Sequence, residues 1–174
     1  SRLVELDMSM TWIECIKSDT FSGLDNLQKL FLYSGRVKRV EPNSFSSMTH
    51  LKYLYIDYNQ ISLIQNGTFC GLESLRDLML STNSFQSLST DVFSGLKNLN
   101  ILKLDSINLH SLNEIHTFRG LFKLTSLDLS SNSLTAIKNR TFVDLNTLLE
   151  LNLQLNKLTI LESNAFEGLN CLQS

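Results

Sequence analysis

The sequence predicts an α/β solenoid. Short parallel strands line the concave wall of a horseshoe, and irregular or short helical segments form its convex side. Three observations lead there. The phrase Leu-x-x-Leu-x-Leu-x-x-Asn-x-Leu-x-x-Leu, followed after four residues by Phe-x-x-Leu, recurs from Leu3, Leu27, Leu51, Leu75, Leu99, Leu124 and Leu148, and Leu172 opens an eighth copy. The period is 24 residues in every copy but the fifth, which has 25. A fixed period of that size marks a unit that buries its apolar face only by stacking on its neighbours. Within a copy the opening residues alternate, as in Leu51-Lys52-Tyr53-Leu54-Tyr55-Ile56-Asp57. Alternation with a period of two is the signal of a strand with one buried face.

Each conserved type within a copy has a physical reason. Leu54 and Ile56 point inward while Tyr53, Tyr55 and Asp57 line the opposite, concave face. Phenylalanine recurs at one place in all seven copies: Phe21, Phe45, Phe69, Phe93, Phe118, Phe142 and Phe166. Stacked rings there fill the wide convex side, and truncating one buried Phe to Ala typically costs about 3–5 kcal/mol. Asn59, Asn83, Asn132 and Asn156 are placed to bond backbone groups where the chain leaves the strand; Thr11, Gly35 and Ile107 stand in their place elsewhere. Looser or reshaped loops are therefore expected in copies one, two and five. The extra residue of copy five falls within 113–117, before Phe118, where it leaves the strand register intact.

The chain reads as a single domain, residues 1–174, with copies at 3–26, 27–50, 51–74, 75–98, 99–123, 124–147 and 148–171. Pro42 is the only proline and the seven glycines appear scattered, so no linker is marked. It starts and stops inside repeats without caps, and a solenoid fragment without caps is expected to hide its ends against other protein. Fifteen basic and 17 acidic side chains leave a formal charge of −2, which lacks the basic excess of nucleic-acid binders, so a nucleic-acid partner is not expected. No apolar run is long enough to cross a bilayer, and no membrane contact is expected within these residues.

Cys15, Cys70 and Cys171 lie too far apart in repeat phase for a bridge. A free thiol or an outside partner is expected, with Cys171 as the candidate for the latter. No Cys/His spacing suggests zinc, and His50, His110 and His116 fall at unrelated phases without a catalytic motif. Neither metal, cofactor nor enzymatic activity is expected. Asn66-Gly67-Thr68 and Asn139-Arg140-Thr141 are N-glycosylation sequons at one phase, three residues before the ladder Phe. Glycans on Asn66 and Asn139 would place the chain on an extracellular face or in a secreted protein.

Two adjacent copies differ from the rest in their concave residues. Copies four to seven are mostly small or polar there, whereas copies two and three carry Phe31, Tyr33, Tyr53, Tyr55 and Tyr58, with Lys29 and Lys52 beside them and Arg36, Lys38 and Arg39 on the adjoining loop. Aromatic and arginine side chains are common interface anchors, so Lys29, Phe31, Tyr33, Lys52, Tyr53, Tyr55 and Tyr58 form the candidate ligand-binding patch. Tyrosines also suit a pleated surface for its own sake and pair across strands.

Repeats such as Leu124-Thr125-Ser126-Leu127-Asp128-Leu129-Ser130-Ser131-Asn132-Ser133-Leu134, followed by Phe142-Val143-Asp144-Leu145, resemble the extracellular typical subfamily of leucine-rich repeats. Within it the chain is most similar to Toll-like receptor ectodomains. Jawless-vertebrate antigen receptors fit less well, because their Leu-Pro-x-Gly-Val-Phe phrase is missing. The resemblance implies ligand recognition in innate immunity, with a microbial or protein ligand and a homo- or heterodimeric receptor. The alternative is an adhesion or structural module of a cell-surface or matrix protein.

Overall fold

The computed structural model describes residues 2–112 and 116–174. In chain order its strands are β1 (Glu5–Asp7), β2 (Cys15–Ile16), β3 (Lys29–Phe31), β4 (Arg39–Val40), β5 (Tyr53–Tyr55), β6 (Asp77–Met79), β7 (Ile101–Lys103), β8 (Ser126–Asp128), β9 (Ala136–Ile137), β10 (Glu150–Asn152) and β11 (Ile160–Leu161). Seven of them, in the order β1-β3-β5-β6-β7-β8-β10, make one sheet. Every neighbouring pair in it is parallel. The register is the repeat itself: Glu5 pairs with Lys29, Lys29 with Tyr53, Tyr53 with Asp77, Asp77 with Ile101, Ile101 with Ser126 and Ser126 with Glu150. The expected concave sheet of seven parallel strands is present.

With each opening leucine counted as phase 1, the sheet strands occupy phases 3 to 5. Phase 4 faces inward: Leu30, Leu54, Leu78 and Leu102 have no exposed surface. Phases 3 and 5 stay half-buried on the wall in the interior strands. Fully burying one such leucine is worth about 1.5–3 kcal/mol. On the far side the phenylalanine ladder closes the core, with neighbouring rings stacked at centroid separations of 5.8 Å (Phe21–Phe45), 6.0 Å (Phe69–Phe93), 6.4 Å (Phe93–Phe118), 6.0 Å (Phe118–Phe142) and 6.2 Å (Phe142–Phe166). In the outermost coils, which have a neighbour on one side only, Leu3, Val4, Leu155, Ile160, Leu161 and Phe166 are exposed.

At phase 8 every copy turns off the sheet through a left-handed residue that is not glycine: Met10, Ser34, Tyr58, Thr82, Ser106, Ser131 and Leu155, with φ from 52° to 56°. Such a conformation costs free energy in a residue with a Cβ. It persists because the next coil fixes the corner. Asn132 accepts from the Ile107 and Leu109 amides (3.2 and 2.9 Å) and donates to the carbonyls of Leu104 (2.8 Å), Leu129 (3.0 Å) and Ser130 (3.2 Å). Asn59 and Asn83 do the same for the coils before them.

This bridging keeps the corner of copy two in the common shape, because each asparagine serves the preceding coil as well as its own, whereas copy five is reshaped as expected: Asn108 at phase 10 is left-handed (φ 63°), as no other copy is at that phase among the described residues. Copy two is held by Asn59 and copy five by Asn132. Gly35 even makes room for its bridge: a Cβ there would stand 2.9 Å from Asn59 Oδ1. In copy one the Thr11 hydroxyl donates to the Met8 carbonyl at 2.9 Å.

The convex side is made of turns, with no helix among the described residues. Successive bonds of the type Ser94 to Asp91, Leu96 to Phe93 and Leu99 to Leu96 span three residues each. Two left-handed positions interrupt any helix. Phase 17 holds Asn43, Gly67, Asp91, His116, Arg140 and Asn164, and phase 21 holds Gly23, Gly71, Gly95, Gly120 and Gly168, all at positive φ. The glycines are therefore not scattered: five of the seven share one phase. At Gly71 and Gly168 a Cβ would strike the backbone of the preceding coil, at Ser46 and Val143.

The sequence reading also missed two flank ladders, β2 with β4 and β9 with β11, where phases 13 and 14 pair in parallel. Cys15 lies on the first of these, half-buried, while Cys70 and Cys171 are exposed, and all three are free thiols. Of the insertion in copy five, residues 113–115 lie outside the described residues.

Asn132→Ala should lower unfolding free energy by about 2–3 kcal/mol, since it orphans two buried amides and a carbonyl of another coil. Asn156→Ala, in a half-exposed coil, should cost less; urea titration of both variants measures the difference.

Candidate recognition surface

The concave wall is the surface on which side chains are free to vary, and copies two and three make it aromatic. Lys29 and Phe31 stand at the two ends of β3, with Tyr33 two residues on, and Tyr53 and Tyr55 occupy the same places on β5. The Phe31 ring meets Tyr55 edge-on at a centroid distance of 5.2 Å and Tyr33 at 6.4 Å with the planes 82° apart. Edge-to-face contact fixes the three rings in one half-exposed cluster. Tyr53 continues it along β5, on the same face as Tyr55.

Three expected members lie elsewhere or are spoken for. Tyr58 occupies the left-handed corner at phase 8, φ 53°, and is 57% exposed, so it projects at the rim and not on the strand face. Lys52 precedes β5, and its ammonium donates to Gln28 Oε1 at 2.9 Å along the opposite rim. Lys29 is on the wall but pairs with Glu5 at 2.9 Å. The loop cations are also engaged on the flank: Arg36 lies 3.7 Å over the Trp12 ring, Lys38 pairs with Glu14 at 3.0 Å, and Arg39 pairs with Glu41 at 3.4 Å and donates to Cys15 Sγ at 3.4 Å. Trp12, 74% exposed, was not singled out by the sequence reading.

A second feature of the wall emerges only when side chains are sorted by phase. Phases 3 and 5 carry Glu5, Asp7, Asp77, Asp128 and Glu150, and phase 7 adds Asp57 and Asp105. Against these seven carboxylates stand two lysines, Lys29 and Lys103. Both lysines are already paired, the second with Asp128 at 3.1 Å. The chain is nearly neutral as a whole, yet its concave face is acidic.

The carboxylates fall into two kinds. Burial alone would raise the Asp128 carboxyl, but the Ser130 hydroxyl and amide and the Lys103 ammonium hold it below its ordinary value. Asp57 and Asp77 are raised, chiefly because they are half-buried; Asp105 adds to this at Asp57, and Arg76 offsets part of it at Asp77. Neither Asp57 nor Asp77 has an ion pair among the described residues. Tyr55 sits among them, its phenol pushed up by burial and then by Asp77. Asp105 accepts a hydrogen bond from the Ser81 hydroxyl.

The sequons are legible in structural terms too. Asn66 and Asn139 are exposed, but Thr68 and Thr141 are buried. They belong to a row of hydroxyls at phase 18, with Thr20, Ser44 and Thr117, and Ser44 and Thr141 each donate to a carbonyl three residues back. A structural row of this kind places two sequons in phase whenever asparagine stands two residues earlier. Shared phase is therefore no independent sign of glycans, although both asparagines are reachable.

A half-buried acid with a raised folded-state pKa destabilises the fold when ionised. That penalty is complete above the raised value and vanishes as pH falls through it toward the ordinary 3.8. Asp57→Asn should accordingly raise the melting temperature at pH 7, with the gain shrinking at acidic pH; a gain independent of pH would contradict the assignment.

Comparison with known proteins fits this geometry. The leucine rich repeat family model matches residues 1–61, 25–85, 49–109, 74–134 and 122–174, which together span the chain. No curated protein matches it. Among solved structures 383 chains match, so the fold by itself does not select a function. One of these is the crystal structure of the TLR13-ssRNA13 complex, whose receptor is similar at a TM-score of 0.93 and 33% identity over 98% of this chain. The chain spans 24% of the length of that receptor. Period, register and corner geometry agree with both comparisons: the chain belongs to the leucine rich repeat family, and within it resembles a Toll-like receptor ectodomain.

Proposed function

We propose that the chain is a ligand-recognising segment of a Toll-like innate immune receptor, acting on an extracellular or luminal face and binding a protein ligand or a second receptor chain. The observation that carries this reading is the Phe31–Tyr33–Tyr55 cluster, half-exposed on a sheet whose other wall positions are mostly small or charged. Large rings held by their neighbours bury area at low entropic cost, which is what an interface anchor requires. The similar receptor was solved with single-stranded RNA, and RNA is the second reading for this chain. The acidic wall speaks against it, because phosphate would approach five uncompensated negative charges. An adhesive or structural module remains the alternative of another class; it needs no anchor cluster on one pair of strands.

Peptides selected from a displayed random library for binding to the chain test the site. Tyr33→Ala and Tyr55→Ala should each weaken the selected peptides by at least about 2 kcal/mol while leaving the melting temperature nearly unchanged. Selected peptides that bind both variants as well as the parent would contradict the reading. N-glycans on Asn66 and Asn139 belong to it as well. Protein from a secretory host should lose mass on glycosidase treatment, less so for Asn66→Gln and Asn139→Gln, and an unchanged mass would remove both sites.

A further inference from the structure

The charge of the wall and its aromatic cluster belong to one surface. On the β3 side Lys29 is neutralised by Glu5, and on the far side Lys103 is neutralised by Asp128. Between them, β5 and β6 and the corners after them present Tyr53, Tyr55, Asp57 and Asp77 with no lysine or arginine on the wall. Lys52 and Arg76 stand at the rim before these strands, Lys52 occupied by Gln28. Half-burying a carboxylate without an ion pair lowers stability; Arg76 offsets only part of this at Asp77, and Asp57 has no ion pair among the described residues. The phenol rings beside them offer faces to which a cation is drawn.

We propose that this part of the wall docks a cationic protein segment, with arginine or lysine side chains lying across Tyr53 and Tyr55 and their charges on Asp57 and Asp77. The proposal rests on the concave surface being the binding site and adds the chemistry of what binds there. Four features make arginine the better fit. Guanidinium stacks on aromatic faces, matches a carboxylate with two hydrogen bonds, is weakly hydrated and stays charged at every physiological pH. The same field disfavours acidic peptides and phosphodiesters and speeds the approach of basic ones.

The test uses the whole chain, with a short labelled peptide of alternating arginine and glycine, its glutamate counterpart and a single-stranded oligoribonucleotide as probes, read by fluorescence anisotropy. The arginine peptide should bind and the other two should not compete with it. The double variant Asp57→Asn/Asp77→Asn should weaken it at least about tenfold, at a melting temperature no lower than the parent's, so that loss of binding is not loss of fold. The control pair Asp25→Asn/Glu73→Gln, on exposed turns after the phenylalanine ladder, should leave affinity unchanged. Equal binding to the double variant, an equal loss in the control pair, or displacement by the oligoribonucleotide would each overturn the proposal. If Tyr55→Ala abolishes binding while the double variant does not, the concave site stands and the cationic partner falls. If neither change matters, both fall together.

Discussion

Where each concave strand ends, the chain turns through a left-handed residue, and carbonyls and amides around that corner are left without strand partners. Interior corners are met by asparagines, both from their own coil and from the next. Asn59, Asn83 and Asn132 each reach across to a carbonyl and an amide of the preceding copy while holding their own corner. Backbone bonds such as Ile56 to Met79 and Tyr58 to Ser81 carry the same stitch along the sheet. The fixed spacing from opening leucine to asparagine follows from this demand, because a change within that span would present the asparagine and the leucines out of step with the groups they serve; the extra residue of copy five falls beyond it and leaves the register intact.

Stacking decides which positions can carry function. Leucines at phases 1, 4 and 6 and phenylalanine at phase 19 are committed to the core, and left-handed corners and glycine turns are committed to the path of the chain. Phases 3, 5 and 7 remain, facing outward on a rigid parallel sheet. A ligand on this wall would meet a grid of side chains with rows set by the strands and columns by the repeat. Copies two and three fill their grid points with rings, while copies three to five add half-buried acids. Of these, Asp57 and Asp77 work against stability, whereas Asp128 is fully engaged by Ser130 and Lys103 and reads as structural.

Much of this was legible in the sequence because the leucine and phenylalanine phases are strict and strand alternation is local. The seven-stranded register and the convex ladder follow from spacing alone. Loop shape was not legible: left-handed corners are occupied by Met10, Thr82 and Leu155, residues with no preference for that conformation, and are imposed by the neighbouring coil. Glycine regularity at phase 21 was visible but hidden by reading the residues in chain order. The cluster Phe31, Tyr33, Tyr53 and Tyr55 came through, whereas Tyr58 and Lys52 fell to opposite rims because strand alternation stops where the chain turns. Asp57 was placed on the concave face by alternation, but Asp77 and the acidity of the wall were overlooked for a different reason, since overall charge near neutrality conceals a face with seven acids against two lysines.

Under the proposed function, partners meet this chain on the wall over β3 and β5. Hydroxyl-radical footprinting of the chain, with and without the arginine–glycine peptide, tests it most directly. Tyr33, Tyr53 and Tyr55 should lose reactivity on binding, while Trp12, Leu63 and Phe122, exposed away from the sheet face, should keep theirs. Protection at Trp12, Leu63 or Phe122 with the three tyrosines unchanged would contradict it and move the binding surface off the concave wall.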